Sequence, residues 1–451
     1  MLKSSWRARS GRAVFHYMEP SLMLYNLAAG AASAFLPPVW LASRLAGRWG
    51  ELWPRVGLYR HLAPARPGPR VWLQAVSVGE VSVAAAIAEE LFAAAPRLNL
   101  TVTSSTAKGL EKAREVFAQR AAVAAFPLDL PWAVMAAAAK IRPQVYASLE
   151  TELWPNLLAW LQSRGSSLLL LNGRLSPRSF PRYEKLRWLV KPALRRFDRL
   201  SMIGEADAQR ALALGADPAR VSIDGNAKYA GLARRARPRA AQDLAPRLAL
   251  GRAPLLAAGS VRGGEEEPVL SAFARLLPEH PQAVLIAAPR HVEKAPRWLE
   301  ACGARGLKAR LWSGLSDDQP RRPDCRVVVV DAMGVLMPLY GLARAAFLGA
   351  SLVPLGGQNP MEPAAWGLPV CYGESMEDFA DAAQALEEAG AAIRLAGAED
   401  LAAFWGRVLA RPAEAAQRGE AARRVVERWS GSAGAAARLI LRELETRGAL
   451  S

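Results

Sequence analysis

Three short apolar runs, residues 327–330, 345–348 and 368–372, are separated by stretches long enough for a helix, and this spacing constrains the fold more than any other feature of the chain. The first run is four consecutive valines, and the pattern reads βαβαβ, the signature of a parallel sheet with covering helices. Ligands of such sheets bind at the carboxyl ends of the strands. After the second run stands Gly356-Gly357-Gln358-Asn359-Pro360-Met361-Glu362, which places an Asn at a helix N-cap, a Pro at the first helical position and a Glu at the third. Free N–H groups and the positive end of the helix dipole suit a phosphate, and the carboxylate can accept hydrogen bonds from ribose hydroxyls, so the segment suits a nucleotide. Taken alone, Asn359 and Glu362 only cap their own helix.

The same alternation recurs upstream. Strands are expected near residues 71–74, 100–104, 124–128, 144–149, 168–171, 200–203 and 220–223, and again at 255–258 and 283–288, with helical patterns between them. A chain of 451 residues accommodates two such α/β domains. We place an N-terminal lead-in at 1–59, a first Rossmann-like domain at 60–230, an Arg-, Ala- and Pro-rich linker at 231–252 and a second Rossmann-like domain at 253–451. The Ala-rich stretch from about residue 376 onward reads as helices, the last packing back on the first domain.

A formal charge of +17 calls for an anionic partner without choosing between nucleic acid, a membrane surface and an acidic substrate. Cys302, Cys325 and Cys371 lack C-x-x-C spacing, which argues against a disulfide framework and fits a reducing compartment; the four histidines show no metal-ligand spacing. Near the N-terminus, Lys3, Arg7, Arg9 and Arg12 precede a stretch without charged side chains at 21–43, followed by Arg44 and Arg48. Pro37-Pro38 interrupts that stretch, which is expected to be a single membrane anchor, spanning or embedded in the inner leaflet, the alternative being a helix buried in a soluble domain.

Several strand ends carry chemistry-bearing residues. Ser77 and Glu80 have the S-x-x-E spacing of a capping box, yet a carboxylate in this strand-to-helix turn also stands where a general base belongs, and a helix N-terminus is expected to keep it ionised. The strand at 144–149 runs into Glu150-Thr151-Glu152-Leu153-Trp154-Pro155-Asn156. The strand at 168–171 leads to Asn172-Gly173-Arg174-Leu175-Ser176 and then to Arg178, Arg182, Lys185, Arg187, Lys191, Arg195 and Arg196, interleaved with Tyr183, Leu186, Trp188, Leu189 and Leu194. That amphipathic basic pattern fits anionic headgroups, or simply a solvated face. Lys228 follows Gly225 in a turn, Gly259-Ser260-Val261-Arg262-Gly263-Gly264 opens an acid-rich helix, and Pro289-Arg290 ends a strand where an Arg can neutralise a nucleotide.

From about residue 22 to 390 these ordered motifs resemble the 3-deoxy-manno-octulosonate (Kdo) transferases of lipopolysaccharide synthesis. The resemblance implies an α/β chain of GT-B type, with two Rossmann-like domains facing a central cleft and an N-terminal membrane-anchor helix, at the cytoplasmic face of a bacterial inner membrane. It implies inverting transfer of Kdo from CMP-Kdo to a lipid A precursor without metal or other cofactor. Glu80 would be the base, Glu150 would stabilise the transition state, and Lys228 would assist departure of CMP. CMP would be held by Pro289, Arg290, Gly334, Val335, Leu336, Asn359, Pro360, Met361 and Glu362, and the acceptor by Arg174, Ser176, Arg178 and Arg182. Partners are then CMP-Kdo, the lipid precursor and an anionic membrane surface, not nucleic acid. The chain departs from the family pattern at Arg262 (commonly His), Val335 (Glu), Ala350 (Gly) and Gln358 (His), all on the donor side. Two other classes fit the residues: a GT-B transferase or epimerase using another nucleotide sugar, and a non-catalytic basic protein that binds polyanions.

Overall fold

The structure, a computed structural model, describes residues 19–33, positions 38, 44, 55–57, 59 and 62, and 67–450 apart from Arg178. It divides into two compact units, 1–230 with 431–451, and 231–430. The segment read as a linker is thus counted with the second unit, and the last helix with the first.

The first unit opens with helix α1 (Pro20–Ser33) and continues as β1 (Arg70–Gln74), α2 (Val78–Ala94), β2 (Asn99–Ser104), α3 (Ala107–Phe117), β3 (Ala122–Ala125), α4 (Pro131–Ile141), β4 (Val145–Leu149), α5 (Pro155–Ser163), β5 (Ser167–Gly173), α6 (Phe180–Lys185), α7 (Arg187–Arg196), β6 (Arg199–Met202), α8 (Glu205–Leu214) and β7 (Val221–Ile223). All neighbouring strands are parallel, in the order β3-β2-β1-β4-β5-β6-β7. Alternate residues of one strand feed two cores: Trp72 packs with Phe126 and Tyr146 on one face, while Val71 and Leu73 pack with Ile87 and Leu91 on the other. Burial on both faces explains why these strands read as apolar runs rather than as alternating patterns.

In the second unit three short helices, α9 (Leu232–Arg235), α10 (Pro238–Gln242) and α11 (Ala245–Leu248), precede β8 (Leu255–Val261), α12 (Glu266–Leu276), β9 (Val284–Pro289), α13 (Ala295–Gly303), β10 (Ala309–Leu311), β11 (Val327–Val329), α14 (Leu336–Tyr340), β12 (Ala345–Leu348), α15 (Met361–Ala365), β13 (Val370–Tyr372), α16 (Ala380–Glu388), β14 (Ala392–Arg394), α17 (Ala398–Ala410) and α18 (Pro412–Ser430). Its parallel sheet runs β10-β11-β9-β8-β12-β13-β14. The chain closes with α19 (Ser432–Thr446), whose Ala436, Ala437, Ile440 and Leu444 join the first unit's core beside α2. Each unit is therefore a doubly wound Rossmann-like sheet, as the GT-B class requires of both halves. Strands β10 and β14 escaped the sequence reading because each is three residues long, includes an arginine and is only partly buried, so no apolar run marks it.

The spanning form of the expected anchor is corrected in its described part. Helix α1 is 14 residues long, about 21 Å at 1.5 Å per residue, short of a hydrocarbon core of about 30 Å. No helix among the described residues is long and apolar enough to cross a membrane. One face of α1 is held to the first unit by polar contacts: Arg196 donates to Glu19 at 2.7 Å, and Asn156 donates through its Nδ2 to Asn26 Oδ1 at 2.8 Å. Tyr25 hydrogen-bonds Asp129, and Leu22 is buried. The opposite face, with Met23, Leu24 and Leu27, is exposed. Beyond residue 33 the uncharged stretch lies outside the described residues except at position 38, as do Lys3, Arg7, Arg9 and Arg12.

Candidate active site

In the first sheet the strand order reverses between β1 and β4, which makes the carboxyl ends of those two strands the expected binding crevice. Glu80 follows β1 and Glu150 follows β4. Ser77 caps α2, its Oγ accepting from Glu80 N and donating to Glu80 Oε1 at 3.0 Å, while Glu80 Oε2 accepts the Val76 N–H at 2.7 Å. Capping geometry and a candidate base thus share one side chain. Glu80 is 6% exposed, and burial pushes its carboxyl up to about 7 against the lowering effect of the Val76 hydrogen bond, with the charges of Glu150 and Glu152 pushing the same way. The helix start therefore does not keep it firmly ionised, because desolvation outweighs the hydrogen bonds. A carboxylate poised near neutrality is suited to take a proton.

Glu150 has φ +55°, the left-handed region that costs an L-residue about 1–2 kcal/mol. Its N–H is tied to Leu171 O at 3.0 Å, so pairing with β5 holds the turn that presents it. Sequence reasoning gave no role to Glu152, whose Oε2 accepts the Trp154 indole N–H at 2.9 Å and whose carboxyl is raised by burial and by the charge of Glu150. It also missed Asp129, buried, whose two oxygens accept the N–H groups of Asn156 and Leu157 at 3.0 and 2.9 Å and so cap α5 from another loop. An acid that caps a helix distant in sequence leaves no local spacing signal.

Lys228 is exposed in a single helical turn, Ala227–Tyr229, that packs against α2, the helix carrying Glu80. Asn172 anchors that turn by accepting from Ala227 N at 2.7 Å, and Lys228 Nζ lies 5.9 Å from the centroid of the Tyr229 ring. Glu80, Glu150 and Lys228 therefore belong to one unit. Of the acceptor candidates, Arg174 is half-buried with its carbonyl receiving the Thr151 hydroxyl, Ser176 bonds Ser179, and Arg182 is exposed on α6. Arg178 lies outside the described residues. The basic segment is two helices broken at Leu186 rather than one, with Leu186 and Trp188 exposed among its cations.

In the second sheet the order reverses between β8 and β12. Gly259, in the last half of β8, lets the Tyr340 hydroxyl approach to where a Cβ would lie only 1.8 Å away, and Gly349 likewise admits the backbone of Val261. Glu265, fully buried, binds the two strand ends together: it accepts the N–H groups of Arg262, Ser351 and Leu352 at 3.3, 2.8 and 2.7 Å, and that of Ala350. It does more than stabilise the helix start expected from the sequence. Ala350, where the family pattern has Gly, is held at φ +58°. Arg262 Nη2 donates to Leu355 O at 2.8 Å.

The nucleotide candidates gather on the carboxyl side of this sheet. Pro289 ends β9 and exposed Arg290 follows it; Gly334 (φ +83°) and Val335 lead into α14 at Leu336; Asn359 to Glu362 lead into α15. Asn359 Oδ1 accepts from Met361 N at 3.1 Å, but the helix starts at Met361 with Pro360 as its N-cap, one residue later than expected. It has only five residues, so few peptide dipoles align and the terminus offers a phosphate little. Charge comes instead from side chains. Glu362 is raised by burial, opposed by Arg235, an Asn359 hydrogen bond and Arg290. Arg235, on α9 in the segment read as a linker, is thus a cation beside Glu362 that the sequence concealed; α9 packs on α15.

Comparison with known proteins fits this geometry. The model of the 3-deoxy-D-manno-octulosonic-acid transferase (Kdo transferase) family matches residues 50–231. A 3-deoxy-D-manno-octulosonic acid transferase of Haemophilus influenzae is 30% identical over 334 residues, 74% of this chain and 77% of that protein. Its counterpart of Bordetella pertussis is 30% identical over 432 residues, 92% and 97%. A bifunctional glycosyltransferase/methyltransferase of Fusobacterium nucleatum is 30% identical over 316 residues, and the match spans 70% of this chain but 48% of that relative's length. Among solved structures, a glycosyltransferase of Rickettsia africae (11% identity, 83% of this chain and 99% of that one, TM-score 0.54) and a UDP-GlcNAc 2-epimerase of Neisseria meningitidis (9%, 83% and 100%, 0.55) share the GT-B type of fold. The family rests on the sequence relatives, and the chain belongs to the 3-deoxy-D-manno-octulosonic acid transferases.

Proposed function

We propose that the protein transfers Kdo from CMP-Kdo to a lipid A precursor with inversion at the anomeric carbon. The observation that carries this reading is the pairing of Glu80 and Glu150 at the switch point of the first sheet, with the Glu80 carboxyl at about 7. In the step, the acceptor hydroxyl loses its proton to Glu80 as its oxygen bonds the anomeric carbon. The bond from that carbon to the CMP phosphate oxygen breaks, and the electron pair leaves on the phosphate. Glu150 stabilises positive charge developing on the sugar, and Lys228 offsets the charge of the departing phosphate. In the second unit, Arg290 and Arg235 supply positive charge for the nucleotide's phosphate, and Glu362 accepts from ribose hydroxyls. These residues ask nothing of a metal.

We place the enzyme at the cytoplasmic face of a bacterial inner membrane. Two features support contact with an anionic membrane: the exposed apolar face of α1, and the basic α6–α7 surface with Leu186 and Trp188. The decisive assay is product mass after incubation with tetraacylated lipid A precursor and a CMP-Kdo generating system. One or more added Kdo residues are expected; turnover of a UDP-sugar instead, or no CMP-dependent product, would overturn the assignment.

A further inference from the structure

The amino edge of the first sheet, opposite the edge that carries Glu80 and Glu150, holds a cavity of about 740 Å³, within the range of about 300–1,000 Å³ usual for small-molecule sites. Four cations line it. Arg70 opens β1, Arg97 stands in the turn before β2, Arg120 in the turn before β3, and Lys140 in the last turn of α4. No carboxylate is among the described residues that line it, while Asn99 and Gln119 add amides.

Two of the cations are held in place rather than left to sweep through solvent. Arg70 donates through Nε to Arg142 O at 2.8 Å and through Nη1 to Gly68 O at 3.5 Å, and the Arg120 guanidinium stacks 4.6 Å from the centroid of the Phe92 ring. Burial and the neighbouring charge of Arg142 both lower the Arg70 pKa, so positive charge accumulates here at a cost. Like charges gathered in a concave, partly apolar surface focus a positive potential that an anion relieves. The apolar part of the lining, Phe92, Leu98 and Ile141, gives such an anion a non-polar or planar portion to rest on.

We propose that this cavity is a second ligand site, on the amino edge of the first sheet, for a phosphate-bearing anion of at least two charges, held by Arg70, Arg97, Arg120 and Lys140. Its ligand is a soluble phosphate ester or the phosphate headgroup of a lipid. Neither Glu80 nor the nucleotide candidates of the second unit contribute to it.

The test is calorimetric titration of the full chain with inorganic pyrophosphate at low salt, with saturating CMP present to cover the donor residues. Arg97→Ala/Arg120→Ala alters two exposed turn residues and is expected to weaken pyrophosphate binding at least tenfold with an unchanged melting temperature in the absence of ligand. Arg310→Ala/Arg322→Ala, which removes as much charge from the second unit, is expected to leave binding unchanged. Titration with dispersed short-chain phosphatidylglycerol then names the source: displacement of pyrophosphate from the parent, absent in the Arg97/Arg120 variant, means a lipid headgroup, and no displacement means a soluble ester. Parental affinity in the Arg97/Arg120 variant, an equal loss in the Arg310/Arg322 control, or no pyrophosphate binding at all would overturn the proposal.

Discussion

Lowering the pH from about 8 to about 6 should cut turnover roughly tenfold, because the ionised fraction of a base near 7 falls from about nine-tenths to about one-tenth across that interval. The magnitude rests on the burial of Glu80 and on the adjacent charges of Glu150 and Glu152. Glu152→Gln removes one of those charges while keeping an acceptor for the Trp154 indole, so the acid limb should move to lower pH. Glu80→Gln should lose about 10² to 10⁴ in rate and lose the limb altogether. Stability separates a base from a cap. The folded pKa is raised above the ordinary glutamate value of about 4.5, so the contribution of Glu80 is most favourable below about 4.5 and is lost as pH rises through about 7. Glu80→Gln, which still accepts from Val76 N, should therefore melt no lower than the parent at pH 8, whereas loss of a helix cap would cost about 1 kcal/mol. The measurement is turnover per folded molecule between about pH 5.5 and 8.5, paired with melting curves. A flat profile between pH 6 and 8, or a Glu80→Gln rate within a few-fold of the parent, would refute the reasoning and make Glu150 the next candidate base.

Glu362→Gln should weaken CMP binding by roughly one to two orders of magnitude, through loss of a charge-assisted bond of about 1.5–3 kcal/mol, with little change in melting temperature; calorimetric titration checks it. Ala350→Gly should stabilise the protein by about 1 kcal/mol in denaturant unfolding, because φ +58° is strained for alanine and free for glycine. The Asp129 carboxyl is raised to about 6, so the parent should lose stability as pH rises from about 4 through about 6, and Asp129→Asn should flatten that limb while loosening the start of α5. Glu19→Ala removes the carboxylate partner of the nearly buried Arg196 guanidinium while its bond to Gln162 remains, and should cost about 1–3 kcal/mol in equilibrium unfolding.

By itself the sequence determined the class of fold and the edges on which chemistry sits. Strands buried on both faces must be apolar throughout, so 327–330, 345–348 and 168–171 announce themselves, and the polar residues that follow each run necessarily fall at its carboxyl end. Glu80, Glu150, Arg290 and Glu362 were legible for that reason. Strand order was not, because the period of a strand does not say which strand lies beside it. The switch points between β1 and β4 and between β8 and β12, and hence the pairing of Glu80 with Glu150, exist only once the sheet is assembled. Contacts of long sequence separation were hidden in the same way: Glu265 clamping residues 350–352, Asp129 capping α5, Asn26 on Asn156 and Arg235 beside Glu362. The protonation of Glu80 was misjudged from sequence because a helix N-terminus suggests an ionised acid. Desolvation, which only the packed structure sets, outweighs the hydrogen bonds that the local motif supplies.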